Sequence, residues 1–167
     1  VILLLALAVG CSPSTSVDEG PGSMGSGADA YANATVVEVV DGDTIDVRIG
    51  RRRARVRLIG INTPETVDPR RPAECYGAEA SALTKALLPP GTPVRLERDA
   101  EPRDDYDRVL AHVFRARDRL FVNLELVRRG AAVPLRIEPN TTHAGEIARA
   151  ALAAERVGAG LWSRCPR

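Results

Sequence analysis

Residues 51–65 read RRRARVRLIGINTPE, and a change of pattern partway along this stretch decides the fold. Side chains alternate across an extended strand, so Ala54, Val56 and Leu58 share one face while Arg53, Arg55 and Arg57 share the other. Beyond Leu58 both faces turn apolar, through Ile59 and Ile61. A strand half exposed at first and buried on both sides thereafter suits a small curled barrel whose end is covered by other elements. The stretch closes on an amide, a hydroxyl, a proline and a carboxylate, Asn62-Thr63-Pro64-Glu65. That ending either punctuates the strand or sets oxygen ligands and a base at the rim of a sheet.

Working outward, TVVEVVD from Thr35 and TIDVRIG from Thr44 flank a Gly-Asp turn and form a hairpin signature, with Ile45, Val47 and Ile49 alternating with polar residues. After the loop TVDPRRPAE, the segment CYGAEASALTKALL sets Tyr76, Ala80, Leu83 and Leu87 at helical spacing, and Pro89-Pro90-Gly91 stops it. Two further strands, TPVRLERD and RVLAHVF, are joined by AEPRDDYD. VNLELVRRG reads as a short helix with an Asn start, arginines in its last turn and a glycine just past its end. A last helix runs from about Thr142 to Arg156, with Ile147, Ala151 and Ala154 on one stripe before Gly158 and Gly160. The expected class is mainly β with α (α+β), a five-stranded barrel of the oligonucleotide/oligosaccharide-binding (OB) type with three helices.

The 167 residues, 44% hydrophobic and 27% charged, suffice for one globular domain with a core rather than two. A net charge of +1 excludes a strongly basic coat, so binding to a polyanion must come from local clusters. Only Lys85 among the 23 basic residues is lysine, and a codon bias explains that as readily as selection for guanidinium forks. The first ten residues, VILLLALAVG, are too few to span a bilayer. They read as the apolar core of a secretory signal whose start is missing.

Ala8-Val9-Gly10-Cys11 resembles a bacterial lipobox, which makes Cys11 the expected point of lipidation; a plain signal peptide with an incidental cysteine is the alternative. Residues 12–34, rich in Ser, Gly, Pro and Asp, bury too little to offset their ordering entropy and read as a flexible tether. The expected organisation is a leader over 1–11, a tether over 12–34 and a folded domain over 35–167. Cys75 and Cys165 are then the cysteines of the folded part, and an even pair in an exported protein most economically forms a disulfide, with two free thiols as the alternative. His112 and His143 lack metal-ligand spacing and read as core or surface residues.

Three polar islands stand out: Asp41-Gly42-Asp43-Thr44, Arg57 with Asn62-Thr63-Pro64-Glu65, and Arg103-Asp104-Asp105-Tyr106-Asp107-Arg108. Taken singly, each has a bland reading: a hairpin turn, a helix start, a solvated acidic loop. In their order and spacing, from about Ala34 to Ser163, they resemble the staphylococcal (thermo)nuclease family. The resemblance runs through VVDGDT, VRLIGINTPET, YGAEAS, DDYDR, VNLELVRRG, PNTTHAGEI and a terminal LWS.

That resemblance implies an OB-type barrel with three helices and a Ca²⁺-dependent phosphodiesterase acting on DNA and RNA. Asp43 would be a carboxylate ligand to Ca²⁺, Thr63 would offer its backbone carbonyl, and Asn62 sits where the family prototype has a second aspartate ligand. Glu65 would orient or deprotonate the attacking water, Arg57 and Arg108 would hold the scissile phosphate, and Tyr106 would line the nucleotide pocket. A phosphodiester is anionic, so its cleavage needs charge neutralisation and a positioned water; oxygen ligands for a hard cation and forked guanidiniums supply both.

Three departures qualify the resemblance. Asn62 coordinates without charge, so the calcium requirement is expected to be met at higher concentration. Asp107 replaces a glycine before Arg108, adding a nearby negative charge or a different turn. Two further pocket aromatics of the prototype fall near Leu135 and Ile137, so base stacking is expected to be poorer. The six arginines from Arg48 to Arg57 either compensate through phosphate contacts or form a solvated hairpin. The expected protein is an exported, envelope-tethered monomer acting on single- and double-stranded DNA and on RNA, with a membrane contact through its lipid anchor. The alternative is a non-catalytic OB-type binding module.

Overall fold

The structure, a computed structural model, describes residues 30–66 and 72–166. Cys11 therefore lies outside the described residues. Two hairpins begin the fold. β1 (Ala34–Asp41) turns through Gly42 and Asp43 into β2 (Thr44–Ile49), with Asp41 paired to Thr44. β2 turns through Gly50 and Arg51 into β3 (Arg52–Leu58), with Ile49 paired to Arg52. Register shifts along β1 opposite β2 give the bulges that bend a sheet. The alternation expected of β3 holds: Val56 and Leu58 are fully buried, while Arg53 and Arg55 are exposed.

β5 (Pro93–Glu97) pairs with β1 and with β6 (Val109–Arg115), and β6 returns to pair in parallel with β3 through Val56–Val109, Arg57–Leu110 and Leu58–Ala111. This last pairing closes five strands into a barrel, which removes open edges. Ile45, Val47, Val56, Leu58, Val94 and Val113 fill it, each fully buried. Short pairings decorate the barrel: β4 (Ile61–Asn62) with β8 (Val133–Pro134), and β7 (Leu120–Phe121) with β6. Between β3 and β4 the chain bends at Gly60, at φ +80°, where an added Cβ would lie 2.8 Å from Ile147 Cδ1. Any other residue there would be strained in a left-handed backbone and would press on the end of the Ile147 side chain.

The three expected helices are present as α1 (Gly77–Leu87), α2 (Val122–Arg128) and α3 (Ala144–Arg156), followed by one turn, α4 (Leu161–Arg164). α3 buries Ile147, Ala151 and Ala154, the stripe read from the sequence. For α1 the expected stripe of Tyr76, Ala80, Leu83 and Leu87 packs on the core, with Tyr76 just before the helix in a left-handed conformation, and Gly77, Ser81 and Thr84 widen the buried face. The polar residues in that face belong to it because Thr84 Oγ1 donates to Gly42 O at 2.6 Å, joining helix to hairpin turn. Asn123 is likewise not the start of α2. It lies inside the first turn, fully buried, where its Oδ1 accepts from Val113 N–H at 3.0 Å and its Nδ2 donates to Ile59 O at 2.9 Å.

Tyr31 and Asn33, assigned to the tether by composition, engage the barrel. Asn33 exchanges two hydrogen bonds with the backbone of Leu96, and the guanidiniums of Arg95 and Arg119 each lie 5.2 Å from the Tyr31 ring. Cys75 and Cys165 are joined in a disulfide with Cα atoms 5.8 Å apart, tying the entry to α1 to the chain after α4. His112 is a core residue, buried against Phe121 and His143.

Candidate active site

The DGDT turn is fixed from both sides. Leu58 N–H donates to Asp43 O at 2.9 Å, and Thr84 holds Gly42 O from behind. So held, Asp43 turns its carboxylate toward the NTPE segment, which follows the β3–β4 bend. Asp43 Oδ2 accepts from Thr63 N–H at 2.8 Å and from Arg57 Nη2 at 3.1 Å, and Oδ1 accepts from the Thr44 hydroxyl at 3.2 Å. Residues 20 apart in sequence thus close one rim.

Arg57 is the centre of this rim. Its side chain is only 13% exposed, and Nη2 donates to Asn62 Oδ1 at 3.1 Å as well as to Asp43, while Nη1 donates to Leu58 O at 2.7 Å. Burial pushes its pKa down, Asp43 opposes that, and nearby Arg108 adds to it. An arginine nonetheless stays charged. The result is a guanidinium whose plane is fixed before any ligand arrives, as electrostatic preorganisation requires.

Glu65 belongs to a compact polar loop. Its N–H donates to Glu74 Oε2 at 3.0 Å, its Oε1 accepts from Thr66 N–H at 2.9 Å, and the Thr66 hydroxyl donates to Asp41 Oδ1 at 2.6 Å. Asp41 is 5% exposed. Burial raises its carboxyl pKa, the Thr66 and Gly42 hydrogen bonds oppose the rise, and the charge of Glu65 reinforces it. Asp41 and Glu74 were not among the residues read from the sequence as functional. Asp41 opens the same DGDT motif, but only the fold reveals that its carboxylate meets the loop of Glu65.

Arg108 approaches from the DDYDR loop. Asp104 accepts from its Nε at 2.7 Å and from its backbone N–H at 2.9 Å. Burial alone would raise the Asp104 pKa; the hydrogen bonds from Arg108 and Tyr106 prevail and lower it. Asp107 has φ +62°, the left-handed conformation that glycine adopts most easily. Its carboxylate turns to Arg103 Nη1 at 2.9 Å rather than to Arg108, so the substitution keeps the turn and leaves the Arg108 fork with Asp104. Tyr106 is 82% exposed, with its ring 5.4 Å from the Arg108 guanidinium carbon.

A cleft of about 620 Å³ gathers these groups: Asp41, Asp43, Arg57, Asn62, Thr63, Glu65, Glu74, Tyr106 and Arg108 all line it. All seven residues expected to carry catalysis, metal or substrate binding therefore share one cavity. An adjoining pocket of about 430 Å³ shares Arg57, Tyr106 and Arg108 and is walled by Leu58, Ile59, Leu135 and Ile137. Its wall is aliphatic where stacking would call for aromatics.

Does the donor set fit a hard cation? Among the described residues no three Asp, Glu, His or Cys side chains group into a metal cage. The cleft is nonetheless lined with oxygen: the Asp41, Asp43 and Glu65 carboxylates, the Asn62 amide and the Thr63 carbonyl. Thr63 Oγ1, packed behind the rim against Gly42, is buried with no hydrogen-bond partner among the described residues. Only oxygen donors and mutually repelling carboxylates fit Ca²⁺, provided that neutral oxygens complete its shell.

A closed OB-type barrel with two anchored arginines, a glutamate and an oxygen-lined rim in one cleft offers an anionic phosphodiester both positive charge and oxygen groups. The family described as Staphylococcal nuclease homologue matches residues 55–164. The thermonuclease of Staphylococcus intermedius is 41% identical over 129 residues, covering 77% of this chain and 75% of that protein. The thermonuclease of Staphylococcus hyicus is 38% identical over 128 residues, covering 77% and 74%. The endonuclease YncB of Bacillus subtilis is 34% identical over 134 residues, covering 79% and 62%. The chain belongs to the staphylococcal nuclease family and is a nuclease hydrolase.

Proposed function

We propose that this nuclease is Ca²⁺-dependent and cleaves phosphodiester bonds of both DNA and RNA, with Arg57, Glu65 and Arg108 as its catalytic residues. The observation that carries the reading is the convergence of these three with Asp43, Asn62 and Thr63 on one cleft. Asp43, Asn62 and the Thr63 carbonyl would hold the ion, with Asp41 a further carboxylate at hand. Once bound, calcium supplies positive charge that neutralises the phosphate and polarises its oxygen.

The rest falls to side chains. Arg57 and Arg108 each present a planar fork to phosphate oxygens, and these bonds strengthen as negative charge develops on the equatorial oxygens of the pentacoordinate transition state. Asp104 keeps the Arg108 fork oriented; Leu58 O, Asp43 and Asn62 do so for Arg57. Removing either arginine is expected to cost at least ~2.7–4 kcal/mol of barrier stabilisation, by analogy with loss of an oxyanion donor. Glu65 takes a proton from the attacking water, whose oxygen bonds to phosphorus as the scissile P–O bond breaks and the departing sugar oxygen takes a proton from solvent; Thr66 N–H keeps one Glu65 oxygen oriented. Contacts to phosphate and to a lone Tyr106 distinguish bases and sugars little, which supports action on both nucleic acids.

Incubation of the purified domain with single-stranded DNA, in calcium or in chelator, tests the reading. Cleavage in calcium alone is expected, and intact DNA in both tubes refutes it. Export, lipidation at Cys11 and action as a monomer belong to the same proposal. They rest on the apolar run before Cys11 and on a cleft that one chain completes. Release of the protein from membranes by Cys11→Ser checks the anchor.

A further inference from the structure

The β2–β3 hairpin carries six arginines between Arg48 and Arg57, and the barrel sorts them into three kinds. Arg57 enters the cleft. Arg53 and Arg55 pair with Asp46 on the outer face, and Arg53 also with Glu38. Arg48, Arg51 and Arg52, around the hairpin tip, are exposed and make no ion pair among the described residues. Like charges crowded in this way repel one another, and nothing in the packing of the barrel uses them.

The outer face of this hairpin is not flat. A groove of about 540 Å³ runs along it, lined by Asp46, Arg53, Arg55, Arg103, Tyr106 and Arg108 among others. Arg55, Tyr106 and Arg108 also line the catalytic cleft, so the two spaces adjoin. Cross-strand pairing sets Arg48 beside Arg53 and Asp46 beside Arg55, on the face that carries Arg57. From Arg57 to Arg53 on that face the strand extends for ~13 Å at ~3.3 Å per residue, and Arg51 and Arg52 lie beyond it at the exposed tip. OB-type barrels engage ~4–16 nucleotides of single strand. A strand held by its scissile phosphate at Arg57 therefore has more phosphates than the cleft has cations.

We propose that this groove and the hairpin tip form an extended track for the backbone phosphates of a single-stranded polynucleotide flanking the scissile bond, with Arg48, Arg51 and Arg52 as its outer contacts. The proposal rests on the nuclease reading of the cleft and assigns a second region of the substrate to a second region of the barrel. Contacts to phosphate carry no base information, so the track raises affinity for length rather than for sequence. That suits a pocket whose wall offers Leu135 and Ile137 in place of stacking rings.

The test compares wild type with the triple variant Arg48→Gln, Arg51→Gln, Arg52→Gln. Binding of a labelled oligothymidylate longer than the site size is measured in chelator across a range of salt, and cleavage of that oligomer is compared with cleavage of the dinucleotide TpT in calcium. Each single-strand phosphate contact contributes ~0.7 to the slope of log affinity against log salt. The triple variant is expected to lose ~2 from that slope and to show a raised KM on the oligomer, with unchanged rates on TpT. The matching Arg→Lys triple variant, which keeps the charge, is expected to retain the slope. An unchanged slope in the Gln variant overturns the track, as does an equal loss of activity on TpT and on the oligomer, or failure of wild type to bind the oligomer at low salt. Wild type that binds but cleaves neither substrate overturns the nuclease reading instead, while the binding slopes still decide the track.

Discussion

Gly42→Ala probes how the rim of the proposed catalytic cleft is held. A Cβ built at Gly42 lies 2.7 Å from Thr63 Oγ1, 2.8 Å from Thr63 Cβ and 2.9 Å from Thr63 Cγ2, well inside the ~3.5–4.0 Å of favourable carbon contact. Thr63 is 4% exposed and has no solvent to swing into, and the turn is pinned by the 2.6 Å bond from Thr84 to Gly42 O. Two effects compete. Reduced freedom of the unfolded chain stabilises Ala over Gly by ~0.4–1 kcal/mol where the backbone permits it. Forcing an extra carbon into a packed site costs ~1–3 kcal/mol. The second wins, for a net loss of about 1–2 kcal/mol and a fall of several degrees in Tm. Activity falls further, because Thr63 N–H is bonded to Asp43 and a displacement near 1 Å costs roughly 10²-fold in rate. Thermal denaturation and single-turnover cleavage measure both. The decisive form is a double-mutant cycle with Thr63→Gly, which deletes all three contacting atoms. A coupling of about 1–2 kcal/mol is expected, and additivity within ~0.5 kcal/mol would refute the packing account.

Asn62→Asp restores charge to a cleft oxygen, so the calcium concentration giving half-maximal cleavage is expected to fall roughly tenfold; superimposable titrations would count against Asn62 as a ligand. The disulfide closes a loop with a sequence separation of 90, for which chain entropy predicts about 4–5 kcal/mol. The Cys75→Ala, Cys165→Ala variant should therefore melt more than ~10 °C lower, and equal melting temperatures contradict this. Burial lowers the His112 pKa, His143 lowers it further, and Asp99 and Glu97 partly oppose them. Below about pH 6.5, the unfolded value, the unfolded chain then binds more protons. The contribution of His112 is thus complete above that pH and is lost as pH falls toward the depressed folded value. Melting profiles of wild type should steepen on acidification through this window and those of His112→Phe should not; parallel profiles exclude the coupling.

The barrel was legible in the sequence because its signals are local. The alternation through Ala54, Val56 and Leu58, the apolar run that follows, and the stripe of Ile147, Ala151 and Ala154 all survive folding unchanged. What escaped was whatever a distant partner decides. Asn123 reads as a helix cap because Asn often is one, yet two backbone groups, of Ile59 and Val113, claim both ends of its amide. Thr84 reads as a polar interruption of an apolar face, but a carbonyl 42 residues away makes it part of the buried surface. Tyr31 and Asn33 sit in a segment whose composition argues for a tether, and the edge of β5 recruits them.

That the residues of the site gather in one cleft was legible in the sequence, and their wiring was not. Asp43, Arg57, Asn62, Thr63, Glu65 and Arg108 could be named from motif order, but the bonds among them could not. Those bonds change the meaning of Asn62. Its amide oxygen accepts from Arg57 Nη2, which also bonds Asp43. A carboxylate at that position would give the guanidinium a second anionic partner and hold it harder against transfer to a phosphate, since bonds to charged acceptors are roughly twice as strong. The amide gives up charge toward a cation but leaves Arg57 with one anionic partner and two neutral ones. Neutrality at residue 62 therefore weakens one requirement of phosphodiester cleavage and eases another, and it does not mark a decayed site.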